Sequence, residues 1–409
     1  MTCEEGWGTH DKTDLLKIKR FTPDEFFTLK KDWASLLQRS DADPLFLSWE
    51  WMYNWWHVYG GGARDELLLL GVYDDAQLVC LAPLYINTTK IKRWITTRRV
   101  EFLGTRSSGA SGFRTEYLQF ICDKDATEQP IEMALSHVED EVPFDVIRLA
   151  DLVTSSPTYT VVQRLANEAG YYTRDPDVSQ TYGIPCGGRF AEYLDNLGKN
   201  SRLQLYNRRK LLAKLGKVTC TRVDHTNFEQ TLDELSDFHQ DRWQAHISYA
   251  SHKLFVKRLI DSNAVEVSGV KVFLDTTMIG CTFDLLCGDR CYNFQSGFLD
   301  NVDKKISTGT LVFGYAIESC FSDPRVKYYD LMAGEGKNSD YKARLASPGR
   351  RFESIELIGS PVLRYVYSLK DRVTQVLSRR TSRVTRRETK LITRRDSAAS
   401  VGIGSSQRK

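Results

Sequence analysis

Apolar residues recur along this chain with two different periods, and the switches between them lay out its elements. Thr22-Pro23-Asp24-Glu25 reads as a helix start, with a capping threonine, a proline at the first position and acids in the first turn. Phe26, Phe27, Leu29, Trp33, Leu36 and Leu37 follow at helical spacing, and the Pro44–Tyr59 stretch, with Trp49, Trp51, Trp55 and Trp56, predicts an aromatic core helix. Leu67–Tyr73 and Leu78–Tyr85, joined at Asp74-Asp75, predict a hairpin. Shorter strands are expected at Val100–Leu103 and Glu116–Ile121. A helix at Ile131–Val138, a strand at Phe144–Ala150 and a helix at Tyr159–Ala169 complete this half.

Gly183–Gly188 holds Pro185 and three glycines, and such punctuation predicts an inter-domain boundary. Beyond it, Phe190–Leu215 predicts a basic helix, followed by helices at Asn227–Ala245 and His252–Asp261. Strands at Val265–Leu274, Met278–Leu286 and Cys291–Phe298 form an antiparallel meander. A helix at Thr310–Phe321 and a strand at Val326–Met332 come next. Both halves thus run through helices, meander, helix and strand, and PFDVIRLADL (143–152) sits in the place of RVKYYDLMAG (325–334). The expected fold class is mixed α/β (α+β), two tandem units each with a largely antiparallel sheet flanked by helices. The boundaries are a flexible N-terminus at 1–20, units at 21–182 and 189–360, and a basic helix and disordered tail at 361–409.

Composition leaves a folded globular protein as the reading, since 41% of residues are apolar and 27% charged. The N-terminus MTCEEGWGTHDKTD is polar and acidic, unlike a signal peptide. Apolar runs such as Leu67–Val72 and Leu311–Ile317 stop far short of the roughly 20 residues that span a bilayer. Nine cysteines without paired zinc spacing point to a reducing compartment, so a cytoplasmic protein is expected, with no metal. The net charge of +3 conceals an asymmetry: from Arg372 onward there are 11 Lys/Arg against 2 Asp/Glu. Such a tail is either a solvated appendage or a docking element for an anionic surface, placing the protein at the inner face of a membrane.

Four segments carry candidate chemistry. Ser307, Thr308, Gly309, Thr310 and Leu311 lie at the start of an expected helix, where unpaired N–H groups and hydroxyls suit phosphate oxygens; an ordinary N-cap reads the same way. Asp330 ends a strand and is followed by Gly334 and then Tyr341-Lys342, a polar cluster able to supply a base, an oxyanion partner and an acid. A plain loop with exposed Lys342 fits these residues equally. His239, Arg242 and Trp243 share one helix face and offer a base, an anion clamp and a stacking surface, or a packed tryptophan with satisfied neighbours. Lys199, Arg202, Arg208, Arg209, Lys210 and Lys214 form a basic stretch suited to a phosphorylated ligand, or to solvent.

Taken in order, these segments resemble the CelD/BcsL-type acetyltransferase family of the GNAT superfamily from about Trp33 to Glu356. The resemblance is carried by Phe46-Leu47-Ser48-Trp49-Glu50-Trp51, Ala82-Pro83-Leu84, Arg202 with Arg208-Arg209, and His239-x-x-Arg242-Trp243. It continues through Gly297-Phe298, Ser307-x-Gly309-x-Leu311, Tyr329-Asp330-Leu331 and Tyr341-Lys342, with Thr308 where the family usually has proline. It implies two tandem GNAT-like units, as in FemABX proteins, and an acyl-CoA co-substrate held at Ser307–Leu311, with no tightly bound cofactor. It also implies an amine acceptor between the units, an amino sugar or an envelope or exopolysaccharide precursor, with His239, Arg242, Trp243 and Arg209 as its contacts. Tyr341, Lys342 and Asp330 become the catalytic candidates. Two other readings stay open on this evidence: an aminoacyl-tRNA donor gripped by the basic stretch, and a non-catalytic pair that binds a partner in an exopolysaccharide pathway.

Overall fold

The computed structural model describes residues 16–91, 95–105, 113–243, 249–334 and 337–371. The chain divides into two compact units, Met1–Leu357 and Ile358–Lys409. The first half of the large unit runs β1 (Leu16–Phe21), α1 (Pro23–Thr28), α2 (Lys30–Gln38), α3 (Trp49–Val58), β2 (Asp65–Asp74), β3 (Gln77–Ile91), β4 (Ile95–Phe102), β5 (Ile121–Cys122), α4 (Gln129–Glu141), β6 (Val146–Val153), α5 (Pro157–Glu168) and β7 (Tyr172–Pro185). The second runs α6 (Phe190–Asn196), α7 (Lys199–Arg202), a π-helical turn at Leu203–Asn207, α8 (Arg209–Leu212), β8 (Val218–Arg222), α9 (Phe228–Trp243) and α10 (Tyr249–Asp261). It continues through β9 (Glu266–Ser268), β10 (Val270–Leu274), β11 (Thr277–Cys287), β12 (Arg290–Phe298), α11 (Thr308–Ser322), β13 (Tyr328–Gly334), α12 (Lys337–Leu345) and β14 (Ser347–Ile358). No helix among the described residues is long and apolar enough to cross a membrane.

The fold is mixed α/β, and its repeat is visible in the strand pairing. The meander β2-β3-β4 is antiparallel, and after α4 strand β6 pairs parallel with β4. The meander β10-β11-β12 is likewise antiparallel, and after α11 strand β13 pairs parallel with β12. All of this lies in one 14-stranded sheet, whose order is β1-β2-β3-β4-β6-β14-β7-β13-β12-β11-β10-β8, with β5 on β3 and β9 on β11. The halves therefore exchange their last strands: β14 enters the first half's sheet beside β6, and β7 enters the second half's beside β13.

Several elements differ from the sequence expectation, each for a local reason. Residues 16–20 are not loose but belong to β1, which pairs antiparallel with β2. Gly183–Pro185, expected as a boundary, is the end of β7 in register with Tyr328–Asp330. The glycine there serves packing, because a Cβ at 183 would collide with the Tyr328 ring. The single strand expected at Val265–Leu274 is split at Gly269, whose φ is 130°. The long basic helix breaks at Leu197-Gly198, where both residues take ψ near the extended range (145° and 146°). Glu116–Ile121 is largely unpaired, with Tyr117 at φ 59° and a lone parallel bridge from Leu118 to Leu152.

Among the described residues, Trp33 and the four tryptophans of α3 are core, as their spacing predicts. Trp33, Trp49 and Trp51 are buried with their indole N–H groups donating to Leu47 O, Phe26 O and Thr115 Oγ1. Trp51 meets Phe255 and Phe294 edge-on at 4.9 and 5.6 Å, and Phe46 meets Tyr292 edge-on at 5.6 Å. Each such pair adds about 0.5–1.5 kcal/mol beyond area burial. Aromatic contacts thus bind the two halves into one core and fix the position of what lies between them.

Candidate functional site

Strands β12 and β13 pair in parallel only from Arg290–Tyr328 to Tyr292–Asp330. Beyond that point the ladder stops. Met332 adopts φ 62°, and the register of β13 against β7 shifts between Asp330 and Ala333. A positive φ at a non-glycine residue is strained and bends the strand. The parted strands leave a cavity of about 810 Å³, lined by the end of β12, Met332–Gly334, the start of α11, Tyr341 and Lys342 of α12, and Arg114 and Glu116 from the first half.

One wall of the cavity is a helix N-terminus. Ser307 caps α11, and the N–H groups of Thr308, Gly309 and Thr310 have no acceptor within the helix. The Ser307 and Thr310 hydroxyls share a hydrogen bond of 2.9 Å, and the Ser307 N–H donates to Gln204 Oε1 at 3.1 Å. The Thr308 hydroxyl is buried and has no partner among the described residues, although the residue lines the cavity. An orphaned donor beside a positive dipole end suits an anionic oxygen. Gly309 has a packing reason as well: a Cβ there would meet the Phe298 ring at 2.7 Å. Leu311, the last of the expected donor contacts, does not line the cavity and is buried in the core.

The opposite wall carries the titratable groups. Lys342 is 8% exposed, and its Nζ donates to Ala333 O at 2.7 Å and Met332 O at 3.3 Å. Burial lowers its pKa to about 8, against the pull of Glu116 and Asp330. Glu116 Oε2 accepts the Ala333 N–H at 2.9 Å, and burial lifts its carboxyl to about 7, against the Arg114 charge. Arg114 is held in a bidentate pair with Asp151 at 2.8 and 2.6 Å and reaches Glu116 at 3.6 Å. Tyr341 packs its ring 5.7 Å from Phe313 at the cavity edge. A buried carboxyl and a buried amine, both titrating near neutrality, suit proton transfer.

The other expected residues are placed differently. Asp330 is fully buried and does not line the cavity. It accepts hydrogen bonds from Tyr117 and Arg290, each at 2.5 Å, and from the Met332 N–H at 2.7 Å. All these lone pairs serve the bend of β13 and the join between halves. Arg209 is also away from the cavity, its guanidinium paired with Glu318 at 2.5 Å and stacked 3.8 Å over Tyr315. His239, Arg242 and Trp243 occupy the last turns of α9, and their side chains lie outside the described residues. Arg114 and Glu116 were missed by the sequence reading, since they stand in an irregular segment 217 residues from the strand that Glu116 contacts.

Residues 199–343 match a family model described as an acetyltransferase (GNAT) domain, and apart from Arg114 and Glu116 the cavity lies within that span. Among solved structures, that of FemX superposes with a TM-score of 0.55 over 86% of this chain and 99% of its own, at 10% identity. A tandem GNAT protein from the clavulanic acid biosynthesis pathway aligns over 85% of this chain and 99% of its own at 11% identity, with a TM-score of 0.49. The likeness to FemX is one of fold. No curated protein matches the chain.

Proposed function

We propose that the chain is an N-acyltransferase that moves an acyl group, acetyl in the first instance, from acyl-CoA to the amine of a small acceptor. The observation that carries this reading is the meeting, in one cavity, of the α11 N-terminus with the Glu116 and Lys342 pair. The Thr308–Thr310 N–H groups and the Thr308 hydroxyl hold the phosphates of the donor, which directs its thioester toward Ala333. Glu116 takes the proton from the acceptor's ammonium. The freed amine attacks the thioester carbon, the C–N bond forms, and Lys342 stabilises the oxyanion. The C–S bond then breaks, the thiolate takes a proton from Tyr341, and the second proton of the new amide nitrogen passes back to the Tyr341 oxygen. Asp330 is a positioning residue in this scheme, since it holds the bend at Met332 and touches no reactant.

Within acetyltransferases we assign the chain nearest the CelD/BcsL type, on its ordered motifs, with 21–182 and 189–360 as the repeats and the donor site in the second. The acceptor is a hydroxylated amine such as an amino sugar of an envelope or exopolysaccharide precursor, because Asn293, Gln295, Ser296 and Asn301 bring amides and a hydroxyl to the cavity. An aminoacyl-tRNA donor is the weaker reading: Arg202 and Arg209 of the basic stretch are paired with Asp195 and Glu318. We place the enzyme in the cytoplasm at an anionic membrane face, on the charge of residues 372–409. The test is thiol release from acetyl-CoA across a panel of amino sugars and amino acids, with product mass as the second readout. An N-acetylated product supports the reading, and acetyl-CoA left intact with every amine tried, alongside no binding of the donor, overturns it.

A further inference from the structure

Nine large apolar side chains are strongly exposed among the described residues, and four of them stand on one short helix, residues 361–371. They are Val362 (63%), Tyr365 (67%), Val366 (38%) and Leu369 (43%). Their spacing, i, i+3, i+4 and i+7, puts them on a single face. The sequence carries the same spacing onward through Val373, Val376 and Leu377, and then the basic run begins. Scattered surface apolar residues need no explanation, but a contiguous stripe that leads into a charge run does.

We propose that this stripe is a membrane-insertion face, which lies in the headgroup layer of an anionic bilayer while the basic residues after it bind the headgroups. This rests on the reading of the tail given above and adds the element that enters the lipid. Two features select the partner. Lys and Arg in the tail give the attraction to anionic headgroups, which falls off within a Debye length. The apolar face gives a second, salt-insensitive component, and an interfacial helix is recognised by that combination of an apolar face and cationic residues. A second copy of this chain is a poorer occupant. In the sequence, the apolar spacing that starts at Val362 lasts only about two heptads before Arg380 takes the next apolar position, whereas coiled coils need about three to four. The net positive charge of the two tails also opposes pairing. A nucleic acid would engage the charge and leave the stripe in water.

The experiment is vesicle co-sedimentation of the full chain with phosphatidylcholine vesicles, with and without about one-third phosphatidylglycerol, at two salt concentrations. Three proteins are compared: the full chain, the double variant Tyr365→Ser with Leu369→Ser, and a truncation after Ser378. Both substituted side chains are exposed, so thermal melting should match that of the full chain. The full chain should bind the anionic vesicles at least tenfold more tightly than the neutral ones, the double variant should bind the anionic vesicles at least tenfold more weakly than the full chain, and its residual binding should vanish at high salt. The truncation should keep weak, salt-resistant binding. Equal binding by the double variant and the full chain would overturn insertion while leaving a purely electrostatic tail. No sedimentation of the full chain would overturn both. Tighter binding to duplex DNA than to anionic vesicles, unchanged in the double variant, would likewise overturn the proposal in favour of nucleic acid.

Discussion

Glu116 and Lys342 grip the same residue of the bent strand from opposite sides: the Ala333 N–H donates to Glu116 Oε2 at 2.9 Å, and the Ala333 C=O accepts from Lys342 Nζ at 2.7 Å. One comes from the first half of the chain and the other from the second, so neither half builds this pair alone. Burial drives both toward their neutral forms, the carboxyl up to about 7 and the amine down to about 8. The mechanism needs the opposite, an ionised base and a charged oxyanion partner. Activity should therefore rise with pH through about 7 as Glu116 ionises and fall through about 8 as Lys342 loses its proton, a narrow bell in kcat/KM.

Glu116→Gln keeps the acceptor for the Ala333 N–H and removes the base. Turnover should fall by about 10²–10⁴-fold, and the acid limb of the profile should vanish. Donor affinity, measured by calorimetry, should stay within a factor of about two. Undiminished turnover would assign the base elsewhere.

Lys342→Ala removes the charge expected to meet the oxyanion. Its cost should be on the order of 10²–10³ in kcat, with little change in acetyl-CoA binding. A variant weakened only in KM would place Lys342 in ground-state binding instead.

Thr308 offers a separate handle on the donor. Its hydroxyl is buried without a partner, and an unsatisfied buried group costs about 1–3 kcal/mol. Thr308→Val should thus leave the free protein as stable or more stable in thermal melts. It should also weaken acyl-CoA binding by about tenfold, the loss of one hydrogen bond to a charged group. A drop in stability with unchanged affinity would give the residue a structural role only.

How much of this was legible before the fold is a matter of sequence distance. The α11 start and the Tyr341-Lys342 pair, which the structure brings to one cavity, are legible because each is a contiguous segment whose residue types carry their own chemistry. Arg114 and Glu116 are not, because the segment reads as an ordinary short strand at Glu116–Ile121 and only the fold brings Glu116 to Ala333, 217 residues away. The exchange of β7 and β14 was equally invisible. The neighbouring strands β7 and β14 are about 170 residues apart, as the hydrogen bonds between the Thr181 hydroxyl and the Arg350 backbone show, and such pairing leaves no local pattern, while Gly183 with Pro185 imitated a linker. Asp330 was noticed for its place at a strand end, but its partners Tyr117 and Arg290, which take it out of the chemistry, are set by tertiary packing alone.

Asp284 gives a prediction about stability. It is fully buried, accepts from Asn293 Nδ2 at 2.7 Å, and burial lifts its pKa from 3.8 to about 7. A raised carboxyl pKa means that the folded state binds more protons than the unfolded state between those values. Its contribution is full below pH 3.8 and is lost as pH rises through about 7. The stability of Asp284→Asn relative to the parent should therefore improve from pH 4 to pH 8, in urea unfolding at each pH. A difference independent of pH would show that the carboxyl does not titrate in this window.

The central claim, that acyl-CoA is held at the start of α11, is tested most directly by calorimetric titration of acetyl-CoA into the parent and into Thr310→Glu. A carboxylate in the first turn favours the helix, so the variant should fold, yet it sets a negative charge where the donor's phosphates are expected. The parent should bind acetyl-CoA, and Thr310→Glu should lose at least tenfold in affinity with an unchanged melting temperature. Equal affinity in the two proteins, or no heat of binding in the parent, would contradict the account.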